Sequence, residues 1–345
     1  MLKKDIRSLT LDQIKNFFLE NGHKEYRGDQ VYSWLWEKSA FTFKQMTNLS
    51  KSIRSILEEN FVINHIKVDA IQKSKDGTIK NAIKLFDGLI VECVLIPTKT
   101  RITACISSQV GCSLNCKFCA TSRLKRMRNL NSDEIYDQVV LINKQSNDYY
   151  NRSLTNIVFM GMGEPLMNYK NVIQSIKMIT SKKGLGISAR RIVVSTSGVP
   201  KMIKKMADEN MKFKLAVSLH SAFDDIRTSI MPFNEKMNLT ELKLALKYWY
   251  NKTRRIITYE YVVWKGINDT EEDVKALVNF CKIAPSKVNL IQYNSIDENK
   301  FLQASKENIN LYQNILEENN INVTVRRSRG QDIDAACGQL ANKSS

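Results

Sequence analysis

Three cysteines crowd into Gly111-Cys112-Ser113-Leu114-Asn115-Cys116-Lys117-Phe118-Cys119, a C-x3-C-x2-C spacing. Thiolates are soft ligands, and three on one tight loop point to metal or redox chemistry. Structural zinc almost always takes four ligands. No fourth Cys or His lies nearby, and His220 and Cys337 are distant candidates for completing such a site. An iron–sulfur cluster on three thiolates keeps one iron open for a substrate, which fits the count better. A chance group of buried thiols is the remaining alternative. The chain holds seven cysteines, and an odd number argues against a disulfide framework. Cys93 and Cys281 read as small buried hydrophobes. Cys105 precedes the three-cysteine loop by seven residues. Cys337 sits among small and polar neighbours from Gln331 to Leu340, where its sulfur would stay accessible on a loop able to swing over a site.

These residues need a scaffold, and the pattern from about residue 100 onwards supplies one. Strands are expected over 102–107, 156–160, 192–195, 214–219, 257–263, 288–292 and 323–326. Between them Ile135, Val139 and Ile142, then Leu239, Leu242 and Leu246, then Val274, Leu277, Val278 and Cys281 recur at helical spacing. Strands alternating with helices imply an α/β fold of βαβ units on a parallel sheet, six or so of which can close fully or partly into a barrel. Function in such folds sits on the loops after the strands, where the cysteine loop falls. The first ninety-odd residues differ. Thr10-Leu11-Asp12-Gln13 is a capping-box pattern, and helices are expected from there to Gly22, over 29–38 and over 51–59. Alternating runs at 66–71 and 80–86 flank an Asp76-Gly77 turn, and 89–96 follows. The division expected is residues 1–95 as a helical head with linking strands, 96–335 as the barrel, and 336–345 as a tail opening on the Cys337 loop.

The strand ends carry small polar groups. The second reads Phe159-Met160-Gly161-Met162-Gly163-Glu164-Pro165; glycines let a ligand approach the backbone, and Glu164 can accept from an ammonium group. Ser195 ends the third strand, Ser218-Leu219-His220 the fourth, and Asn294 follows the sixth. Singly each reads as a strand-end cap; together in one layer they read as a binding site.

Lys+Arg 52 against Asp+Glu 35 gives +17, which favours a polyanionic partner. Basic residues cluster at 123–128, 190–191, 254–255 and 326–329, and RNA or DNA is favoured over a membrane surface. No run approaches the length of apolar chain that crosses a bilayer. The start, Met1-Leu2-Lys3-Lys4-Asp5, lacks the apolar core of a secretory signal, so a cytoplasmic protein is expected.

The three-cysteine loop, with aromatic Phe118 just before its last cysteine, resembles the hallmark of the radical S-adenosylmethionine (SAM) superfamily. The resemblance implies a partial (β/α)6 barrel, a 4Fe–4S cluster on Cys112, Cys116 and Cys119, and SAM chelating the open iron. It implies SAM contacts from Gly163, Glu164, Ser195, Ser218, Leu219, His220 and Asn294. Residues 159–165, 218–220 and 332–340, together with Tyr26-Arg27-Gly28-Asp29-Gln30 and Met46-Thr47-Asn48-Leu49 in the head, resemble more narrowly the RlmN family of RNA adenine-C2 methyltransferases.

That family resemblance implies a reaction using two SAM molecules. One methylates Cys337, giving S-methylcysteine; a radical derived from the second removes hydrogen from that methyl group, and the carbon radical adds to adenine C2. Glu92 then accepts the C2 proton, and Cys105 releases the product by forming a transient disulfide with Cys337. Without the resemblance, Glu92 reads as an exposed strand residue paired with a lysine. The substrates implied are an adenine of 23S rRNA at the peptidyl-transferase centre and the adenine 3′ of certain tRNA anticodons. An electron donor such as flavodoxin or ferredoxin is expected, and a monomer, since nothing in the sequence demands more. Trp34 and Trp36 could stack bases, with core packing favoured for Trp34. Three alternatives remain: a Cfr-type enzyme methylating C8 of the same adenine, a radical SAM enzyme on another substrate, and a non-catalytic zinc-holding RNA-binding protein. Pro165 and Leu166-Met167-Asn168 look more like the C2 family than the Cfr type.

Overall fold

The structure is a computed structural model and describes residues 3–296 and 301–342. Met1, Leu2 and the last three residues of the expected 336–345 tail lie outside them. Ten strands form one sheet: β1 (Lys67–Lys73), β2 (Ile79–Lys84), β3 (Ile90–Pro97), β4 (Ile102–Cys105), β5 (Asn156–Phe159), β6 (Ile192–Thr196), β7 (Lys214–Ser218), β8 (Ile257–Val262), β9 (Ser286–Ile291) and β10 (Asn322–Arg326). Their order in space is their order in the chain. From β4 to β10 every pairing is parallel, so six crossovers carry the chain through the parallel part. The first three strands add an antiparallel extension on the outer side of β4. A bulge interrupts the β1–β2 pairing between Val68 and Ala70.

Helices α4 (Ser132–Tyr150), α5 (Tyr169–Thr180), α6 (Pro200–Asp208), α7 (Asp224–Ile230), α8 (Leu239–Thr253), α9 (Glu271–Cys281) and α10 (Lys306–Glu318) occupy the crossovers. Several of them start where side chains satisfy the first free N–H groups. Asn131 and Glu134 form a capping box at α4, Thr270 and Asp273 at α9, and the Asn238 side chain caps α8. The apolar residues expected on one face are buried: Ile135, Val139 and Ile142 on α4, Leu239, Leu242 and Leu246 on α8, Val274, Leu277, Val278 and Cys281 on α9.

In the head, α1 (Leu11–Glu20), α2 (Tyr26–Trp36) and α3 (Lys51–Asn60) stand close to their expected positions. Helix α2 begins three residues before the expected Asp29; Glu25 makes no capping hydrogen bond there, so no cap residue marked the start. Head and barrel share one continuous apolar core. Trp36 is 3 % exposed and meets the Tyr136 ring edge-on at 5.2 Å, so it packs in the core and offers no stacking platform. Trp34 is half-buried, with Lys38 Nζ 4.0 Å above its ring.

A buried ion network joins the two parts. Arg7 is 5 % exposed; its Nη1 donates to both oxygens of Asp137 at 2.8 and 2.9 Å, and its Nη2 donates to Asp133 at 3.1 Å. Both carboxylates lie in the first turns of α4. Burial pushes Asp133 up from 3.8 to about 7, against the pull of Arg7. A carboxyl whose folded value exceeds its unfolded value binds more protons when folded, so its contribution is complete below about pH 4 and is lost as pH rises through about 7.

Two outcomes follow for thermal unfolding. Arg7→Met leaves buried carboxylates without their cation and costs about 3–5 kcal/mol. Asp133→Asn removes part of the decline in Tm that the wild type shows between about pH 4 and pH 7.

Candidate active site

Loops leaving the carboxyl ends of the parallel strands enclose one cavity, about 1050 Å³ including the part open to solvent. Cys112, Cys116, Cys119, Gly163, Glu164, Ser195, Ser218, His220, Asn294 and Cys337 all line it. Three other expected site residues do not: Leu219 packs in the hydrophobic core, Cys105 lies on β4, and Glu92 is fully buried on β3.

The cysteine loop leaves β4 through Gly111 and is held from two sides. Lys117 N donates to Ile230 O at 3.0 Å, and Cys119 N donates to Cys116 O at 3.2 Å. Leu114, Cys116, Met231 and Trp264 form a second apolar cluster around it, with Phe118 packed between His220 and Trp264 at 4.9 and 5.0 Å. Burial pushes the Cys112 thiol up to about 11 and raises Cys116 further. Among the described residues, no three His, Cys, Asp or Glu side chains gather closely enough to hold one ion. Three thiols lining one cavity suit an iron–sulfur cluster, in which each thiolate takes its own iron.

Beside it the Met160–Pro165 turn offers the second half of the site. A Cβ on Gly163, whose φ is +92°, would come within 2.4 Å of Gln109 Cβ, and one on Gly161 within 2.6 Å of Ser107 Oγ. Only glycine passes the chain through this gap and leaves the backbone bare towards the cavity. Glu164 is 3 % exposed. Its carboxylate accepts from Ser197 N at 2.7 Å and Leu166 N at 3.0 Å. Burial raises its pKa, and these amides oppose the shift. The carboxylate is thus fixed with lone pairs still available to a ligand ammonium.

His220 follows β7 in a left-handed conformation, φ +58°. Its Nδ1 accepts from Val262 N at 3.2 Å, which leaves Nε2 as the N–H. Burial, then the charge of Arg227, pushes it down to about 3, so the ring is neutral. Arg227 escaped the sequence reading. It is fully buried and donates to Leu219 O at 3.1 Å, Ser197 O at 2.5 Å and Ser218 O at 3.3 Å. Its guanidinium ties together the loops after β6 and β7. Glu260 was also missed; buried on β8, it lines the cavity and accepts from Asn289 Nδ2 at 2.8 Å and Arg326 Nη1 at 3.4 Å. A lone glutamate inside the apolar run Ile257–Val262 was the available signal, since such a residue faces a polar barrel interior.

The Cys337 loop is docked over the mouth. Asn294 Nδ2 donates to Cys337 O at 3.1 Å, Ala120 N to Gly338 O at 2.7 Å, and Thr121 Oγ1 to Leu340 O at 2.7 Å. The exposed face of Cys337 opens on the cavity. Below it, burial and the nearby Cys337 push the Cys105 thiol up to about 12. Asn294, expected to contact SAM, here holds the loop backbone. Glu92 has Lys80 Nζ at 3.3 Å from one oxygen, and its other oxygen accepts from Ala341 N at 2.9 Å and Asn342 N at 3.1 Å. The lysine partner was expected; the complete burial was not.

A partial barrel with three cysteines after its first parallel strand and a Gly-Glu turn after its second defines a radical SAM enzyme, and residues 106–281 match the family described as the radical SAM superfamily. Residues 4–63 match the ribosomal RNA large subunit methyltransferase N-terminal domain. The chain is 66% identical over 342 residues to a protein of Christiangramia forsetii named "Probable dual-specificity RNA methyltransferase RlmN", covering 99% of this chain and 97% of that one. It is 53% identical to the protein of that name from Cytophaga hutchinsonii, covering 99% and 93%. The crystal structure of a radical SAM methyltransferase from Sphaerobacter thermophilus superimposes with a TM-score of 0.91 at 37% identity, covering 98% and 99%. The chain belongs to the RlmN family of radical SAM RNA methyltransferases. Such enzymes use a 4Fe–4S cluster and SAM, and the thiol set and the glycine-opened cavity fit both.

Replacing Cys116 with Ala abolishes the brown colour of anaerobically reconstituted protein and drops its iron well below about four per chain. Gly163→Ala forces an unfavourable backbone and a clash, costing about 1–3 kcal/mol in thermal unfolding and weakening equilibrium binding of SAM.

Proposed function

We propose that this protein methylates C2 of adenine in 23S rRNA and in tRNA, with Cys337 as the methyl carrier, Cys105 as the resolving thiol and Glu92 as the proton acceptor. The observation that carries the reading is the position of Cys337. It faces the cavity lined by Cys112, Cys116, Cys119 and Glu164, and it lies close enough to Cys105 to help raise the pKa of that thiol. When bound, the cluster and SAM supply a methyl group and a radical able to abstract hydrogen. The chain supplies the rest.

Adenine C2 lies between two ring nitrogens and is too electron-poor to attack a sulfonium methyl group. A carbon tethered to the Cys337 sulfur can be delivered to it as a radical. The adduct gives one electron back to the bound cluster, and Glu92 takes the C2 proton. The Cys105 sulfur then attacks the Cys337 sulfur; the carbon–sulfur bond breaks, its electron pair leaves with the carbon, and a proton from solvent completes the new methyl group. Gly163, Glu164, Ser195, Ser218, His220 and Asn294 hold SAM. The basic balance of the whole chain and the helical head, residues 1–95, support binding of folded RNA, whose target base is splayed out for reaction. Relatives named as dual-specificity enzymes support both substrates. A cavity complete within one chain supports a monomer. Ribosomal and transfer RNA as substrates support work in the cytoplasm, with flavodoxin or ferredoxin as the electron source. Among the described residues no helix is long and apolar enough to cross a membrane.

Anaerobic turnover of the iron-reconstituted protein on a 23S rRNA fragment and on tRNA, with nucleosides resolved by mass spectrometry, tests the reading. 2-Methyladenosine is expected, and Cys337→Ala abolishes it. If 8-methyladenosine dominates, the C2 assignment falls.

A further inference from the structure

Glu92 is separated from the cavity it is proposed to serve, and what surrounds it belongs partly to the Cys337 loop. Two donors on its Oε2 are the backbone amides of Ala341 and Asn342, four and five residues beyond Cys337. The third partner, at its Oε1, is Lys80, itself 2 % exposed on the neighbouring strand, where Ala82 pairs with Glu92. Asn342 Nδ2 also donates to Ile90 O on the same strand as Glu92, at 2.9 Å. The tail is thus stitched along β3 beside the carboxylate. Between this contact and Cys337, Gly338 and Leu340 are held by Ala120 and Thr121 of the segment after Cys119.

We infer that Lys80 and the Ala341–Asn342 backbone are positioning groups for the proton acceptor, and that through them the placement of Glu92 is coupled to that of Cys337. The inference rests on the assignment of Glu92 to proton removal. A carboxylate engaged by three donors on two separate stretches of chain stays where they set it. One stretch is the segment carrying the methyl-bearing sulfur and the other is a strand of the sheet, so the carboxylate keeps its place against both only while that segment is docked.

The experiment compares iron-reconstituted full-length wild type with Lys80→Met, Lys80→Arg, Ala341→Pro and Glu92→Ala. Each is given SAM and the 23S rRNA fragment anaerobically. Intact mass reads methyl loading of Cys337, a denaturing gel reads covalent protein–RNA adduct, and nucleoside analysis reads product. Hydrogen exchange of peptides covering residues 338–342 is followed in the RNA-free proteins. Lys80→Met and Ala341→Pro are expected to load Cys337 normally and to accumulate adduct. Both release product at least about tenfold more slowly with KM for RNA unchanged, and Lys80→Arg restores the rate. Glu92→Ala and Ala341→Pro are both expected to speed exchange in the tail. Wild-type product release in Lys80→Met and Ala341→Pro, or unchanged tail exchange in Glu92→Ala, overturns the positioning role. So does loss of Cys337 methylation in Lys80→Met, which marks a merely structural residue. If Glu92→Ala still forms product, the proton-acceptor assignment falls instead, and faster exchange in that variant leaves the tail contact standing.

Discussion

The edge of β4 that a closed barrel would give to its last strand is taken by β3. Everything at the mouth follows from that occupancy. With β10 unable to pair with β4, a gap remains between the ends of the parallel sheet, and the chain beyond β10 crosses it. Arg329 Nη2 donates to Pro97 O at 2.9 Å, Gly330 N to Asp76 at 3.0 Å, and Ser74 Oγ to Asp332 at 2.6 Å. The same antiparallel strands that keep the barrel open therefore anchor the segment that fills it. Having crossed, the segment turns back over the cavity as the Cys337 loop. Two sulfurs from opposite ends of the parallel strand order, Cys105 and Cys337, come close together for this reason.

Charges around the cavity, Arg227 fully buried and Arg326 partly exposed against a buried Glu260, bind elements that apolar packing alone would leave adjustable. Arg227 joins the loops after two strands, and Arg326 with Glu260 joins β10 to β8. A buried ion pair contributes little net stability after its desolvation cost, but its geometry is demanding. Arg326 also exerts its charge on both Cys105 and Cys337, opposing the effect of burial on each thiol. A cation placed there favours the thiolate form that disulfide formation requires.

Much of this was legible in the chain. Periodic apolar residues located α4, α8 and α9, and each expected parallel strand forms with ends shifted by no more than two residues. The three-cysteine spacing and the Gly-Glu turn were legible because their chemistry is local: neighbouring residues supply the whole pattern. What escaped depends on partners distant in sequence. Arg227 reads as an ordinary helix arginine until the carbonyls of Ser197 and Leu219 come round it. The burial of Glu92 depends on Lys80, twelve residues earlier, and on amides near residue 341. Trp36 looked available for stacking because the ring it meets, Tyr136, lies a hundred residues away.

An incomplete barrel leaves strand edges that a complete one abolishes, and exposed edges invite pairing with another chain. At the outer edge, β1 carries Lys67, Asp69 and Lys73, all exposed, alongside exposed Val68 and Ile71. The bulge between Val68 and Ala70 breaks the regular ladder at the charged Asp69. Charge and irregularity together make this strand a poor template for edge-to-edge aggregation. Its apolar side chains are thereby tolerated on a surface that would otherwise recruit further strands.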